Sequence, residues 1–132
     1  MSTFAQHKDP LTSLRVGKRK LIEDWLLHFD QFNKWIINDD LTIDVSSIGI
    51  INRNLKSFPD YIQFNKITHN FSCSQNELSS LKGGPLYVGG NFYCYQNNLT
   101  SLKYLPKYIG GNLEYGPVDK ETLKHVVQGY IK

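Results

Sequence analysis

The stretch "NFSCSQNELSSLKGGPLYVGG" (residues 70–90) is followed without a gap by "NFYCYQNNLTSLKYLPKYIGG" (residues 91–111). Two adjoining segments of 21 residues that match position by position are copies of one structural unit stacked on itself. The period runs through chemically uniform columns: Ile67, Val88 and Ile109; Phe71, Phe92 and Leu113; Cys73 and Cys94; Asn76 and Asn97. Leu78 with Leu99, Leu81 with Leu102 and Pro85 with Pro106 complete the unit.

Phe71 and Cys73 alternate with Ser72 and Ser74, which is the period of a half-buried strand. The asparagine and leucine that follow break the alternation, so the chain turns there. A buried turn leaves backbone groups unpaired, and an asparagine amide, with donors and an acceptor, satisfies them from inside the bend. Asn76 and Asn97 are therefore expected to form a structural ladder, with Cys73 and Cys94 as buried thiols beside it. On the return leg, "SSLKGGP" and "TSLKYLP" carry prolines that exclude regular helix. Gly89-Gly90 and Gly110-Gly111 allow a tight bend into the next strand.

The order of strand, asparagine and leucine resembles the leucine-rich repeat. More narrowly, "F-x-C-x-x-N-x-L-[ST]-S-L" followed by proline and Gly-Gly is similar to the short repeats of small accessory proteins of large tailed bacteriophages. The match covers roughly Leu41 to Tyr115. This resemblance implies a few repeats behind a short N-terminal cap. It also implies a role in the infected bacterium, in the host cytoplasm, where the protein binds and modulates or inhibits a host protein or a defence complex.

A worn copy lies upstream. Aligning "NRNLKSFP" with "QNELSSL" places Ile48 and Ile50 in the strand columns with the spacing stretched to 23. Arg53 then stands where the asparagine belongs, with Asn52 or Asn54 as substitutes, and Thr68-His69 stand where later copies have Gly-Gly.

A short solenoid exposes its core at both ends unless something covers it. Leu21, Ile22, Trp25, Leu26, Phe29 and Phe32 recur at helical spacing, and "KWII" and "LTIDV" flank "NDD" as a hairpin does. Asp119 is placed to cap a second helix, stapled by Val118 and Leu123. The expected fold is α+β: a short capped leucine-rich-repeat solenoid with an N-terminal helix and hairpin, about three turns carrying a parallel sheet, and a C-terminal helix. Its expected divisions are a loosely ordered segment at 1–17, the helix and hairpin cap at 18–45, the repeats at 46–116 and the capping helix at 117–132.

The 132-residue chain has the size of one small domain, and its 40% apolar content with eight Tyr, seven Phe and two Trp marks a folding sequence. The net charge of +3 is spread thinly, apart from Lys18, Arg19 and Lys20, and falls short of a nucleic-acid footprint. No apolar run is long enough to span a membrane, and a polar stretch follows Met1, so a cytoplasmic protein is expected. No phosphate loop, nucleophile elbow or acid–base pair is present, so no enzymatic activity and no cofactor are expected. His69 reads as a surface residue. Cys73, Cys94, His69 and His125 lack the close pairing of zinc ligands, and Asp39, Asp40 and Asp44 lack the glycine-bearing loop of a calcium site.

Function is expected on the outward columns of the repeat sheet: Ser72, Tyr93 and Glu114 in one, Ser74 and Tyr95 in the next, with Gln75 and Gln96 extending the face. Tyrosine offers contact area with few rotatable bonds and is enriched at interfaces. Tyr93 and Tyr95 are the expected anchors for a host bacterial protein, with Asn70, Asn91 and Asn112 as a polar rim. The competing reading is single-stranded nucleic acid, stacked on these tyrosines and held by Lys18, Arg19, Lys20, Lys103 and Lys107. Lysines on the return leg would lie away from the tyrosines, which disfavours it. The sequence leaves the oligomeric state open.

Overall fold

The computed structural model describes residues 10–29 and 34–116, the first four as backbone only. Phe32 of the expected helical stripe, residues 1–9 and the expected helix at 117–132 lie outside these. Among the described residues, no helix is long and apolar enough to cross a membrane.

The architecture is a solenoid of about three turns with an N-terminal helix, α1, spanning Pro10–Leu27. Residues 10–17 are therefore helical rather than loosely ordered. Proline suits a first helical turn, where its missing N–H is not needed. Leu14 and Val16 face solvent, 54% and 55% exposed, so they form no apolar stripe against the stack. The stripe begins with Ile22 and Leu26, both buried, whereas Leu21 faces solvent. Trp25 then lies edge-on to Phe29 at 4.7 Å and to Phe58 at 6.2 Å, which joins the helix to the stack.

A hairpin follows: β1 (Trp35–Ile37) pairs antiparallel with β2 (Ile43–Val45). Its turn is held by Asp40, whose carboxylate accepts from the Thr42 amide at 3.0 Å and the Thr42 hydroxyl at 2.6 Å. These bonds hold the Asp40 carboxyl below its ordinary pKa, the hydroxyl bond contributing most.

Each later turn contributes two short strands. β4 (Phe64–Ile67), β6 (Tyr87–Val88) and β8 (Tyr108–Ile109) continue a first sheet in the order β1-β2-β4-β6-β8. β3 (Ile48–Gly49), β5 (Phe71–Ser72), β7 (Phe92–Tyr93) and β9 (Leu113–Glu114) form a second, wholly parallel sheet in that order. The column of Ile67, Val88 and Ile109 thus belongs to strands of its own, one bend before the strands of Phe71, Phe92 and Leu113.

The stretched first repeat has a local cause. The register offset between turns is 21 at Ile43↔Phe64, 22 at Val45↔Ile67 and 23 at Ile48↔Phe71. One extra residue sits in β4 opposite β2 and another in the bend, which is one residue shorter under Thr68 and His69. Those two residues keep side chains because their bend does not stack on a matching one. Later bends do stack: a Cβ at Gly89 would overlap the Thr68 carbonyl, and one at Gly110 would overlap the Gly89 carbonyl. Only glycine fits there, on account of close approach rather than an unusual φ.

The core is a column of aromatic rings between the sheets. Phe71 and Phe92 stack at 5.7 Å with an interplanar angle of 15°, and Phe64 meets Phe71 edge-on at 5.0 Å. Leu78, Leu81, Leu102, Val88 and Ile109 close the column from the return leg and the first sheet.

Candidate interaction surface

The asparagine ladder determines how the face is presented. Asn76 Oδ1 accepts from the amides of Arg53 at 2.9 Å and Leu55 at 3.1 Å, while its Nδ2 donates to the carbonyls of Ile50, Cys73 and Ser74. Asn97 repeats the arrangement one turn on, accepting from Leu78 N and donating to Cys73, Cys94 and Tyr95 carbonyls. Each asparagine thus satisfies the turn before its own as well as its own. That is why Arg53 can occupy the first position: Asn76 already serves its backbone. Asn52 and Asn54 do not substitute in the ladder, since both are exposed and sit at φ 57° and 56°, a left-handed conformation that asparagine tolerates.

Cys73 and Cys94 are free, buried thiols. Burial pushes the Cys73 thiol well above its usual pKa and raises Cys94 to about 12. Unfolded thiols would ionise from about pH 9 while the folded ones resist, so the folded state binds the extra proton there. Their contribution to stability is complete below pH ~9 and falls as pH rises toward about 12. A thiol reagent at neutral pH is expected to label neither cysteine in the native protein and both in denaturant; rapid native labelling would contradict their burial.

On the outer face of the second sheet, Ser72, Tyr93 and Glu114 fall in one register column, as Ser72↔Tyr93 and Tyr93↔Glu114 pair directly. Glu114 is exposed, while Ser72, Tyr93 and Tyr95 are half-buried. The two tyrosine rings meet edge-on at 6.4 Å, and Tyr93 Oη accepts a 2.8 Å bond from Asn91 Nδ2. They are preorganised by one another rather than freely projecting. Gln75 and Gln96 are exposed at the end of the face, at φ 59° and 55°.

Ser74 does not belong to the face. It is fully buried, and its hydroxyl has no partner among the described residues. The period places it in the column of Ile51 and Tyr95, and a side chain this short is submerged between two larger ones.

The amide rim also serves the fold. Asn70 N donates to Ser47 Oγ, Asn91 N to Asn70 Oδ1, and Asn112 N to Asn91 Oδ1, the last two at 2.8 Å. Asn70 and Asn91 thus form a second ladder along the bend and spend their acceptors on the following turn.

Sequence reasoning missed two features. Lys66, Tyr87 and Tyr108 align across the first sheet, with Tyr87 and Tyr108 48% and 51% exposed. With Ile67, Thr68 and Gly89 they line an open trough of about 340 Å³. The same period carries that signal, since Lys66, Tyr87 and Tyr108 each directly precede a member of the Ile67, Val88 and Ile109 column. On the second sheet, Ser47, Ile48, Gly49, Asn70, Ser72 and Tyr93 line a trough of about 300 Å³.

The lysine positions differ from a nucleic-acid groove along the tyrosines. Arg19 Nη2 donates to the Ile37 carbonyl, Lys20 pairs with Asp24 at 3.0 Å, and Lys103 and Lys107 are exposed on the return leg. Among the described residues, no three of His, Cys, Asp and Glu converge to hold a metal ion. No family model matches the chain, and no curated protein or solved structure matches it.

Proposed function

We propose that this protein is a non-enzymatic binding module whose second sheet captures another protein, with Tyr93 and Tyr95 as anchors. The observation that carries this reading is the tyrosine pair, rings crossed at 86° and one hydroxyl fixed by Asn91, beside a trough with no charged side chain in its lining. Rigid aromatic contacts of this kind lose little conformational entropy on association. The resemblance of the repeats to those of small phage accessory proteins supports a host bacterial protein or defence complex as the partner, inhibited or redirected in the host cytoplasm.

The test is affinity capture from a bacterial lysate, identification by mass spectrometry, and titration of the captured protein against variants. Tyr93→Ala and Tyr95→Ala are each expected to weaken binding by about 2 kcal/mol. Because both side chains are half-buried, a stability loss of about 1 kcal/mol accompanies each. Unchanged affinity in both variants would remove the second sheet as the site.

One observation favours a second reading. Lys66 beside the exposed Tyr87 and Tyr108 combines stacking platforms with a cation, as single-stranded nucleic-acid sites do. Steeply salt-dependent oligonucleotide binding that is lost in Tyr87→Ala would select it.

A further inference from the structure

The two sheets end differently on the side nearest the N-terminus. In the first, β2 is covered by the antiparallel β1, whose Ile37 carbonyl accepts from Arg19 of α1 at 3.1 Å. In the second, β3 is the outermost strand. Backbone groups of successive strand residues point alternately to the two sides. Ile48, Ile50 and Asn52 donate to the carbonyls of Asn70, Ser72 and Ser74 at 3.1, 2.8 and 3.3 Å. The intervening Ser47, Gly49 and Ile51 therefore direct their N–H and C=O groups to the open side. No described residue bonds those groups there, and all three residues are exposed. Natural edges are commonly protected by charge, proline or a covering element, and Ser47, Gly49 and Ile51 provide none of these.

We propose that β3 is a docking edge for an extended segment of the partner protein, which adds to the second sheet as a further strand. The inference rests on the protein-binding reading above and specifies how the partner is held. Main-chain bonds to Ser47, Gly49 and Ile51 supply register, and alternate side chains of the added strand fall on the outer face, as in other strand-addition complexes. Gly49 is central to this arrangement. It leaves the outer face bare where the trough of about 300 Å³ opens beside Ser72 and Tyr93. The lining carries no charge and sets Ile48 and the Tyr93 ring beside the short polar side chains of Ser47, Asn70 and Ser72, so the side chain received there is uncharged.

A random heptapeptide library displayed against the immobilised full chain tests the edge. Gly49→Pro removes one outward N–H and leaves the Ile48 and Ile50 bonds to β5 in place, which proline on an edge strand permits. Gly49→Ala retains the N–H, and its Cβ would meet only Ile51 side-chain carbons, the nearer at 3.5 Å. Enriched peptides are expected to bind the alanine variant within about threefold of the parent and the proline variant at least about tenfold more weakly. N-methylation of every second peptide amide should abolish binding to the unaltered protein, which keeps the test valid if the proline variant does not fold. Hydrogen exchange should show Gly49 and Ile51 amides fast in the free protein, beside slow Ile48 and Ile50, and slowed about 100-fold by peptide.

The proposal is overturned if no peptide is enriched, if selected peptides bind Gly49→Pro as well as the parent, or if the Gly49 amide is already protected in the free chain. In the last case light scattering tells a second copy on the edge from the chain's own cover. Peptides that need the Gly49 amide but tolerate Tyr95→Ala uphold the edge and remove the tyrosine anchor. Peptides that need Tyr93 and Tyr95 but tolerate Gly49→Pro uphold the anchor and remove the edge.

Discussion

Replacing Phe92 by alanine is expected to cost about 3 to 5 kcal/mol of folding stability, a large part of the ~5 to 15 kcal/mol that holds a small domain together. Phe92 is completely buried and stacks on Phe71, which in turn contacts Phe64 and Phe58. Truncation would leave a void in the middle of the stack, where the turns on either side are held by sheet bonds and cannot collapse into it. The next residue, Tyr93, faces outward, so Tyr93→Ala is a matched comparison with a much smaller loss. Urea denaturation followed by far-ultraviolet circular dichroism measures both. Equal losses at the two positions would contradict the inward and outward assignment.

The second large effect is expected at Asn76. Its amide accepts two backbone N–H groups and donates to three carbonyls, spanning the first and second turns. Each buried group stranded by Asn76→Ala costs roughly 1 to 3 kcal/mol, and water reaching the turn recovers part of this, so a net loss of about 3 kcal/mol or more is expected. Asn97→Ala should cost less, because Asn97 is half-buried and its Oδ1 accepts from Leu78 N where Asn76 accepts from two amides. Asn76→Asp is the informative variant: a carboxylate keeps the acceptor and loses the donors, which would leave the Ile50, Cys73 and Ser74 carbonyls facing negative charge. It is expected to be at least as damaging as alanine near neutral pH and to recover partly in acid, when the carboxyl is protonated. Chemical denaturation at pH 7 and pH 4 reads this out, and a neutral effect of Asn76→Ala would remove the ladder as a source of stability.

Column membership is legible in the sequence alone. A strict period of 21 places Phe71 on Phe92, Cys73 on Cys94 and Asn76 on Asn97, and alternation within one copy separates inward Phe92 from outward Tyr93. Those assignments rest on local geometry, which repeats when the residues repeat. The tertiary structure decided what lies beside each column. Gly89-Gly90 and Gly110-Gly111 cut β6 and β8 off after two residues, with no continuing alternation of the kind Cys73 and Ser74 supply after β5, so the first sheet and its Lys66, Tyr87 and Tyr108 column emerged only from pairing between turns. Ser74 is submerged because Ile51 and Tyr95 flank it, and Asn70 and Asn91 are committed because a neighbouring turn brings an amide to each. The early start of α1 at Pro10 was hidden because Leu14 and Val16 face solvent and impose no apolar stripe. The β3 edge, uncovered among the described residues, has the same origin: hydrogen bonding within a turn follows from the repeat, whereas whether an end strand is covered depends on where the cap pairs, and the hairpin pairs with the first sheet. In a solenoid a repeated sequence specifies its own neighbours, and only the ends, where repetition stops, are left for tertiary packing to assign.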